Sequence, residues 1–226
     1  MQEVLCRAVI VRSHGVETAL PWPHWVGALP SEEARPDFTP PGSAAHPFRR
    51  GEFDRALALR GALDPLEVGT LVAAICLYQL DPEEPWPDAE DVLARLLEHE
   101  AIIVAGGVEV EVDGVVVLTP QCCAGLEQWR EWTAFVAGGP PPWGGHSPDP
   151  HVALAADGRV ELGYVGAALT RVERSALQAA LLGLERDLAE FVGRLREWAE
   201  AVAPRIAGTL VDRLCRDLDL VPRAAD

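Results

Sequence analysis

The chain has 226 residues, of which 49% are hydrophobic, so it is large enough to bury a substantial core. Its 35 acidic side chains face 19 Arg and no Lys, giving a formal net charge of −16. No basic stripe is present that could neutralise phosphates, which excludes nucleic acid as a favoured partner. The longest apolar run, residues 71–77, is far too short for a membrane-spanning helix, so we expect a soluble protein that does not use a membrane.

The cysteines indicate a reducing compartment. Their number is odd, and most of them lie in apolar or helical contexts that are typical of reduced, buried thiols. The first residues carry Glu3 and Arg7 and lack the apolar core of a signal peptide. We therefore expect a cytoplasmic protein with the following thiols: Cys6, Cys76, Cys122, Cys123 and Cys215.

The first part of the chain, 1–52, combines one strand with a Pro-rich segment. Residues 2–12 are rich in Val, Leu and Ile and predict a strand. Residues 13–48 contain seven Pro and show no periodicity. The pair Trp22 and Trp25 in this segment either forms an exposed recognition patch or pins the segment onto the core, and the sequence favours pinning.

Helical patterns follow in the middle part of the chain, 53–169. The first is predicted to begin at Phe53, and the second begins at Asp64-Pro65, an N-cap followed by Pro at the first helical position. Residues 65–79 are mostly apolar and predict a central core helix. A third helix is predicted from Asp88 to His99.

Strands and hairpins are predicted next. Residues 101–105 and 108–118 favour strands, and Asp113-Gly114 predicts a type I′ hairpin turn within the second. Another hairpin is predicted around Asp157-Gly158. Between the two hairpins we expect a helix over 124–137 and a rigid loop, with Trp129 and Trp132 on one helical face and Trp143 after a proline run.

The last part of the chain, 170–226, predicts helices. Apolar residues from Leu177 to Val202 follow a heptad spacing, and Pro204 ends this long helix before a final one. The heptad seam either packs against the sheet or along a partner helix, including across a homodimer axis. The whole sequence predicts a single α+β domain, in which an antiparallel sheet of hairpins packs against several helices and the long C-terminal helix.

Acidic side chains are concentrated in residues 81–134, which carry thirteen Asp and Glu against two Arg, a net charge of −11. A solvated acidic face is the plain explanation. Because the aromatic motif lies in the same stretch, we favour a docking surface for a basic protein partner. The predicted partner-binding residues are Glu83, Glu84, Asp88, Glu90, Asp91, Trp129, Trp132, Trp143 and His146.

Catalytic and metal chemistry have weaker patterns. Cys122, Cys123, His146 and His151 match no standard zinc spacing, so we predict no metal, and no phosphate-binding glycine motif indicates a cofactor. An alternative thiol enzyme would use Cys122 or Cys123 beside His146 or His151, with Asp149 orienting the histidine. The carboxylates of Glu109 and Glu111 share one face of a strand that is predicted to be exposed, which favours solubility over acid–base chemistry.

The stretch 120–164 resembles hypothetical proteins of GC-rich bacteria that are associated with immunity partners in toxin systems. The resemblance lies in a Cys pair, a Trp pair and a Gly-His-x-Pro sequence, which the following residues occupy here: Cys122, Cys123, Trp129, Trp132, Gly145, His146 and Pro148. It implies that the protein is an immunity protein that binds and neutralises a basic, cytosol-acting toxin. A small cytosolic thiol enzyme and a homodimeric scaffold remain the alternatives.

Overall fold

The computed structural model of the protein describes residues 2–11, 56–80, 89–121 and 123–221. The predictions for the Pro-rich segment with Trp22 and Trp25, for the predicted helix start at Phe53, and for Glu83, Glu84, Asp88 and Cys122 lie outside the described residues. The described chain has an α+β fold with two antiparallel sheets and a long C-terminal helix, so the predicted fold class is confirmed.

The described strands are β1 (Val4–Val11), β2 (Ala56–Ala58), β3 (Gly106–Val112), β4 (Val115–Leu118), β5 (Pro150–Leu154), β6 (Arg159–Tyr164) and β7 (Thr170–Glu173). The described helices are α1 (Pro65–Gln79), α2 (Ala89–Glu98), α3 (Arg130–Val136), α4 (Arg174–Val202) and α5 (Ala207–Asp217). A short 3₁₀ helix (Leu126–Trp129) leads directly into α3. The helix predicted over 124–137 is therefore a 3₁₀ helix followed by an α-helix.

The first sheet has the strand order β2-β1-β3-β4. Its strands pair antiparallel, with Cys6 opposite Val110 and Arg7 opposite Glu109. Because side chains alternate between the faces of a strand, Cys6 and Val110 point into the core, whereas Arg7 and Glu109 point to the other face.

Two local predictions are wrong. Residues 56–58 form a strand instead of continuing a helix from Phe53, because Leu57 pairs with Ile10 at the edge of the first sheet and is buried there. Residues 101–105 do not form a strand, because the backbone N–H of Ile102 donates to the Asp217 carboxylate at the end of α5. In both segments long-range contacts override the local preference.

The helix α1 begins as the sequence predicts. The Asp64 side chain accepts from the Glu67 backbone N–H at 2.8 Å, and the Glu67 side chain accepts from the Asp64 N–H at 2.7 Å. This reciprocal capping box satisfies two donors that a helix start leaves open. Residues Leu71 and Cys76 on α1 are fully buried, which confirms its place in the core.

Both predicted hairpins are present. The β3–β4 turn has positive φ at Asp113 (49°) and Gly114 (81°), as a type I′ turn requires. The β5–β6 turn is longer, because the Ala155 N–H donates to the Arg159 carbonyl and Gly158 alone takes the positive φ of 84°. The third strand of this second sheet, β7, lies where the sequence predicts only helices.

The long helix α4 covers the core side of the first sheet. It contacts β1, β7, α1, α3 and α5, and its heptad side chains from Leu177 to Trp198 are buried. The heptad side chains therefore pack against other elements of the same chain, including the sheet, as one of the two predicted arrangements requires. Buried side chains of both sheets and of all five described helices form one hydrophobic cluster. Within the described residues, no helix has the length and apolar character needed to cross a bilayer.

Candidate functional site around Trp143

The loop that carries Trp143 is fastened to two neighbouring segments. We call residues 138–149 the Trp143 loop. The Trp143 backbone N–H donates to Glu131 Oε2 at 2.6 Å, and its indole N–H donates to the Cys123 carbonyl at 3.3 Å. The Gln121 N–H donates to the Gly144 carbonyl at 2.8 Å. Despite these contacts 49% of the Trp143 surface stays exposed, so the ring is held in place and presented to solvent.

His146 and Cys123 both adjoin Trp143. The ring centroids of Trp143 and His146 lie 6.4 Å apart at a tilt of 38°. Cys123 is exposed, as are His146 and Asp149. The structure therefore brings three of the described residues predicted for binding or catalysis next to one another. Asp149 lies at the far end of the same loop, where its carbonyl accepts from the Val165 N–H at 2.9 Å.

Backbone strain is concentrated around this loop. Among the described residues, four that are not glycine have positive φ, and they include Cys123 (68°) and Ser147 (66°). The left-handed conformation costs about 1–2 kcal/mol for such residues. The other two residues with positive φ are Asp113, in the β3–β4 turn, and Asp219, just after the end of α5. Strain on both sides of Trp143 is typical of a site whose geometry is maintained for function.

Trp129 and Trp132 do not lie at this surface. Both are buried in the core, although the predicted helical spacing is present. The Trp129 indole N–H donates to the Asp219 carbonyl at 2.9 Å, and the Arg130 guanidinium lies 4.2 Å from its ring centroid. In this fold these two tryptophans stabilise the core and the C-terminal segment, so Trp143 is the one of the three that a partner can reach.

The acids of α2 belong to another part of the fold. Glu90 is paired with Arg205, and Asp91 is exposed in the first turn of the helix. Because α2 packs against α1 and α5, its acidic side chains and Trp143 are carried by different elements. Glu83, Glu84 and Asp88 lie outside the described residues, so the joint acidic and aromatic docking surface stays a prediction.

Glu109 and Glu111 are not the exposed pair that the sequence predicts. Arg7 Nη1 lies 3.2 Å from Glu109 Oε1 and 2.8 Å from Glu111 Oε2, and the Glu109 side chain is only 7% exposed. The Thr119 hydroxyl also lies 3.4 Å from Glu109 Oε2. Register explains the difference, because Arg7 stands directly opposite Glu109 only once β1 pairs with β3. We call these three charged residues the Arg7 cluster.

An exposed apolar turn, which the sequence did not predict, lies next to the Trp143 loop. The β6–β7 turn, residues 165–169, has the sequence VGAAL and is exposed at every position. It adjoins the Trp143 loop through the Val165–Asp149 hydrogen bond and through the pairing of Pro150 with Tyr164. An uncharged run between two strands could have signalled it, but such a run is equally typical of a buried strand.

The described cysteines differ sharply in exposure. Burial raises the pKa of the Cys6 thiol to about 12, and burial also raises the pKa of Cys76 and of Cys215. These thiols stay protonated and unreactive at neutral pH. Cys123 is the exposed thiol of the described chain. Within the described residues, no group of three His, Cys, Asp or Glu side chains is arranged to hold a metal ion.

Comparisons with protein-family models, with curated proteins and with solved structures gave no match for the chain. The geometry around Trp143, together with the charge of the chain, is therefore the basis on which a function is proposed.

Proposed function

We propose that the protein is an acidic protein-binding module that binds a basic partner through the surface around Trp143. The observation that carries this proposal is the state of Trp143, which is fixed by two hydrogen bonds and yet 49% exposed. Aromatic side chains at the centre of an interface supply much of its binding energy, and a ring that is already immobilised loses little entropy on binding.

The charge of the chain defines the partner. A net charge of −16 without a single Lys attracts a basic protein from a distance and repels acidic ones. Glu131 binds the Trp143 backbone, and Asp149 is exposed at the end of the same loop. The resemblance of residues 120–164 to immunity proteins suggests that this partner is a basic, cytosol-acting toxin, in which case the protein acts in the cytoplasm as its immunity protein.

The test begins with co-purification at low salt from the native host, which should yield a small basic protein that dissociates at high salt. Its association rate should then be compared between the wild type and a variant with Glu83→Arg, Glu84→Arg and Glu98→Arg. We expect association at low salt to slow by about tenfold. Glu98 ends α2, where a positive charge suits the helix dipole, so this substitution should not destabilise the fold.

An unchanged association rate in the reversed variant would contradict the proposal. Glu185, Glu197 and Glu200 on α4 offer a matched control, because reversing these three charges alters the net charge equally without touching the acidic stretch. A slowing of equal size in both variants would mean that net charge alone steers the partner, and that the acids of residues 81–134 have no special part.

A thiol enzyme is the second candidate, favoured by one observation: Cys123 and His146 both adjoin the same side chain, Trp143. A turnover that is lost in both Cys123→Ser and His146→Ala, with partner binding unchanged, would support the enzyme in place of the binding module.

A further inference from the structure

The exposed apolar turn between β6 and β7 extends the surface around Trp143. Val165 is 66% exposed and Leu169 is 39% exposed, and residues 162–170 contain no charged side chain. Single exposed aliphatic residues need no explanation, but a contiguous apolar surface on an otherwise highly charged protein indicates an interaction site.

The turn and the Trp143 loop are joined at their backbones. The Val165 N–H donates to the Asp149 carbonyl at 2.9 Å, and Pro150 pairs with Tyr164. Gly144, next to Trp143, lies so close to Pro150 that a Cβ atom on it would come within 2.9 Å of the proline ring. The chain neighbours of Trp143 and of Val165, Gly144 and Tyr164, therefore both adjoin Pro150.

The turn itself is well defined. The Ala167 N–H donates to the Tyr164 carbonyl at 3.0 Å, and Gly166 takes a φ of 83°. Leu169 lies against Gly163, where an added Cβ atom would come 3.0 Å from its side chain. The Tyr164 hydroxyl accepts from the Thr119 N–H at 2.9 Å and so connects the base of the turn to the first sheet. The apolar side chains are presented from a fixed backbone.

Two carboxylates lie beside this surface, and the neighbouring Arg171 is paired with Glu161. Glu131 holds the Trp143 backbone, and Asp149 joins the two loops. Arg174 contacts the base of the Trp143 loop near Gly138, but its guanidinium donates twice to the Val136 carbonyl. A net charge of −16 also opposes association with a second copy of the chain and with an anionic membrane.

We propose that the Trp143 loop and the β6–β7 turn together form the docking surface for an amphipathic segment of a basic protein, whose apolar side chains contact Trp143, Val165 and Leu169 between flanking Arg or Lys residues. This proposal rests on the proposed function, because it specifies which part of a basic partner binds and where.

Peptides of equal length provide the test: one that alternates Leu with Lys, one that alternates Ser with Lys, and one that alternates Leu with Glu. The protein carries fluorotryptophan, and the Trp143→Phe variant assigns the Trp143 signal in ¹⁹F NMR. We expect the Leu/Lys peptide to shift this signal saturably at low salt. The Ser/Lys peptide should bind at least about tenfold more weakly, which corresponds to about 1.4 kcal/mol, and the Leu/Glu peptide should leave the signal unchanged.

Two variants locate the surface. The double variant Val165→Ser, Leu169→Ser should weaken the Leu/Lys peptide about tenfold. Leu154→Ser is the matched control, because Leu154 is 50% exposed on the same sheet but lies at the end of β5 that is remote from Pro150. Binding of this control variant should equal that of the wild type. Thermal unfolding of both variants checks that the fold is retained.

The outcomes separate this inference from the proposed function. Salt-dependent binding that is equal for the Leu/Lys and Ser/Lys peptides, and unchanged in the double variant, would overturn the apolar docking surface and leave the acidic binding module standing. Failure of both basic peptides to bind at low salt would count against the module itself. A dimer, or binding to lipid vesicles, that the double variant abolishes would assign the surface to another occupant and overturn the inference.

Discussion

Removing the guanidinium of Arg7 should destabilise the protein strongly. Arg7 Nη1 contacts carboxylate oxygens of both Glu109 and Glu111, at 3.2 and 2.8 Å, and the three side chains are only 10%, 7% and 13% exposed. Arg7→Met keeps the apolar part of the side chain but leaves two carboxylates on one face of β3 without their cation. Water reaches them poorly, so the repulsion between them is not screened.

The magnitude follows from the burial of the Arg7 cluster. Breaking a buried ion pair by removing one partner costs about 3–5 kcal/mol, whereas an exposed pair is worth at most about 1 kcal/mol. We expect Arg7→Met to lower the free energy of unfolding by about 3–5 kcal/mol near neutral pH. The triple variant with Glu109→Gln and Glu111→Gln should recover much of this loss, because no unpaired charge remains.

Urea unfolding followed by far-UV circular dichroism measures these differences. A loss below about 1 kcal/mol for Arg7→Met would refute the reasoning, because a solvent-exposed ion pair contributes no more than that to the free energy of unfolding. A triple variant no more stable than Arg7→Met would refute it as well, since unpaired charge would then not be the cause.

Three further predictions concern single sites. Burial opposes the ionisation of Asp217, but hydrogen bonds from Arg213 and from a backbone N–H outweigh it and hold the pKa of the carboxyl below its ordinary value. Asp217→Asn should therefore cost about 1 kcal/mol above about pH 4, and the difference should vanish as acid protonates the wild-type carboxyl. Gly193→Ala should stabilise the protein by about 0.5–1 kcal/mol, because a Cβ on this α4 residue meets no neighbour. Gly114→Ala should destabilise it by a similar amount, because the φ of Gly114 is 81°. Thermal unfolding measures both changes. Cys123→Ser should remove one thiol that reacts quickly with a disulfide reagent in the native protein. An unchanged number of fast-reacting thiols in this variant would contradict the exposure of Cys123.

Features determined by neighbouring residues could be predicted from the sequence. Asp64 and Pro65 specify the start of α1 because a cap and its Pro act within one helical turn. Asp113-Gly114 specifies a hairpin turn because both residues tolerate positive φ. The heptad spacing in α4 predicts a buried stripe whatever covers it. None of these inferences depends on which distant segment lies nearby.

Features that depend on distant pairing could not be predicted. Leu57 becomes part of a strand only because Ile10 of β1 offers an edge. Glu109 becomes buried only because the register places Arg7 opposite it. Helical spacing places Trp129 and Trp132 together, but distant contacts decide that Trp129 faces the core, among them the hydrogen bond to Asp219 and the packing against β1 and β3. Exposure of a side chain is a property of the assembled fold, and so the candidate site was only partly visible in the sequence.

Charge and apolar contact should act on different steps of binding. The acidity of the chain acts at a distance, so it governs how fast a basic partner arrives and weakens with salt. Trp143, Val165 and Leu169 act only in contact, so they govern how slowly the partner leaves. Charge reversal at Glu83, Glu84 and Glu98 should then change the association rate alone. Serine substitution of Val165 and Leu169 should change the dissociation rate alone. Because one set of substitutions acts on the association rate and the other on the dissociation rate, their effects on the dissociation constant should multiply in a combined variant.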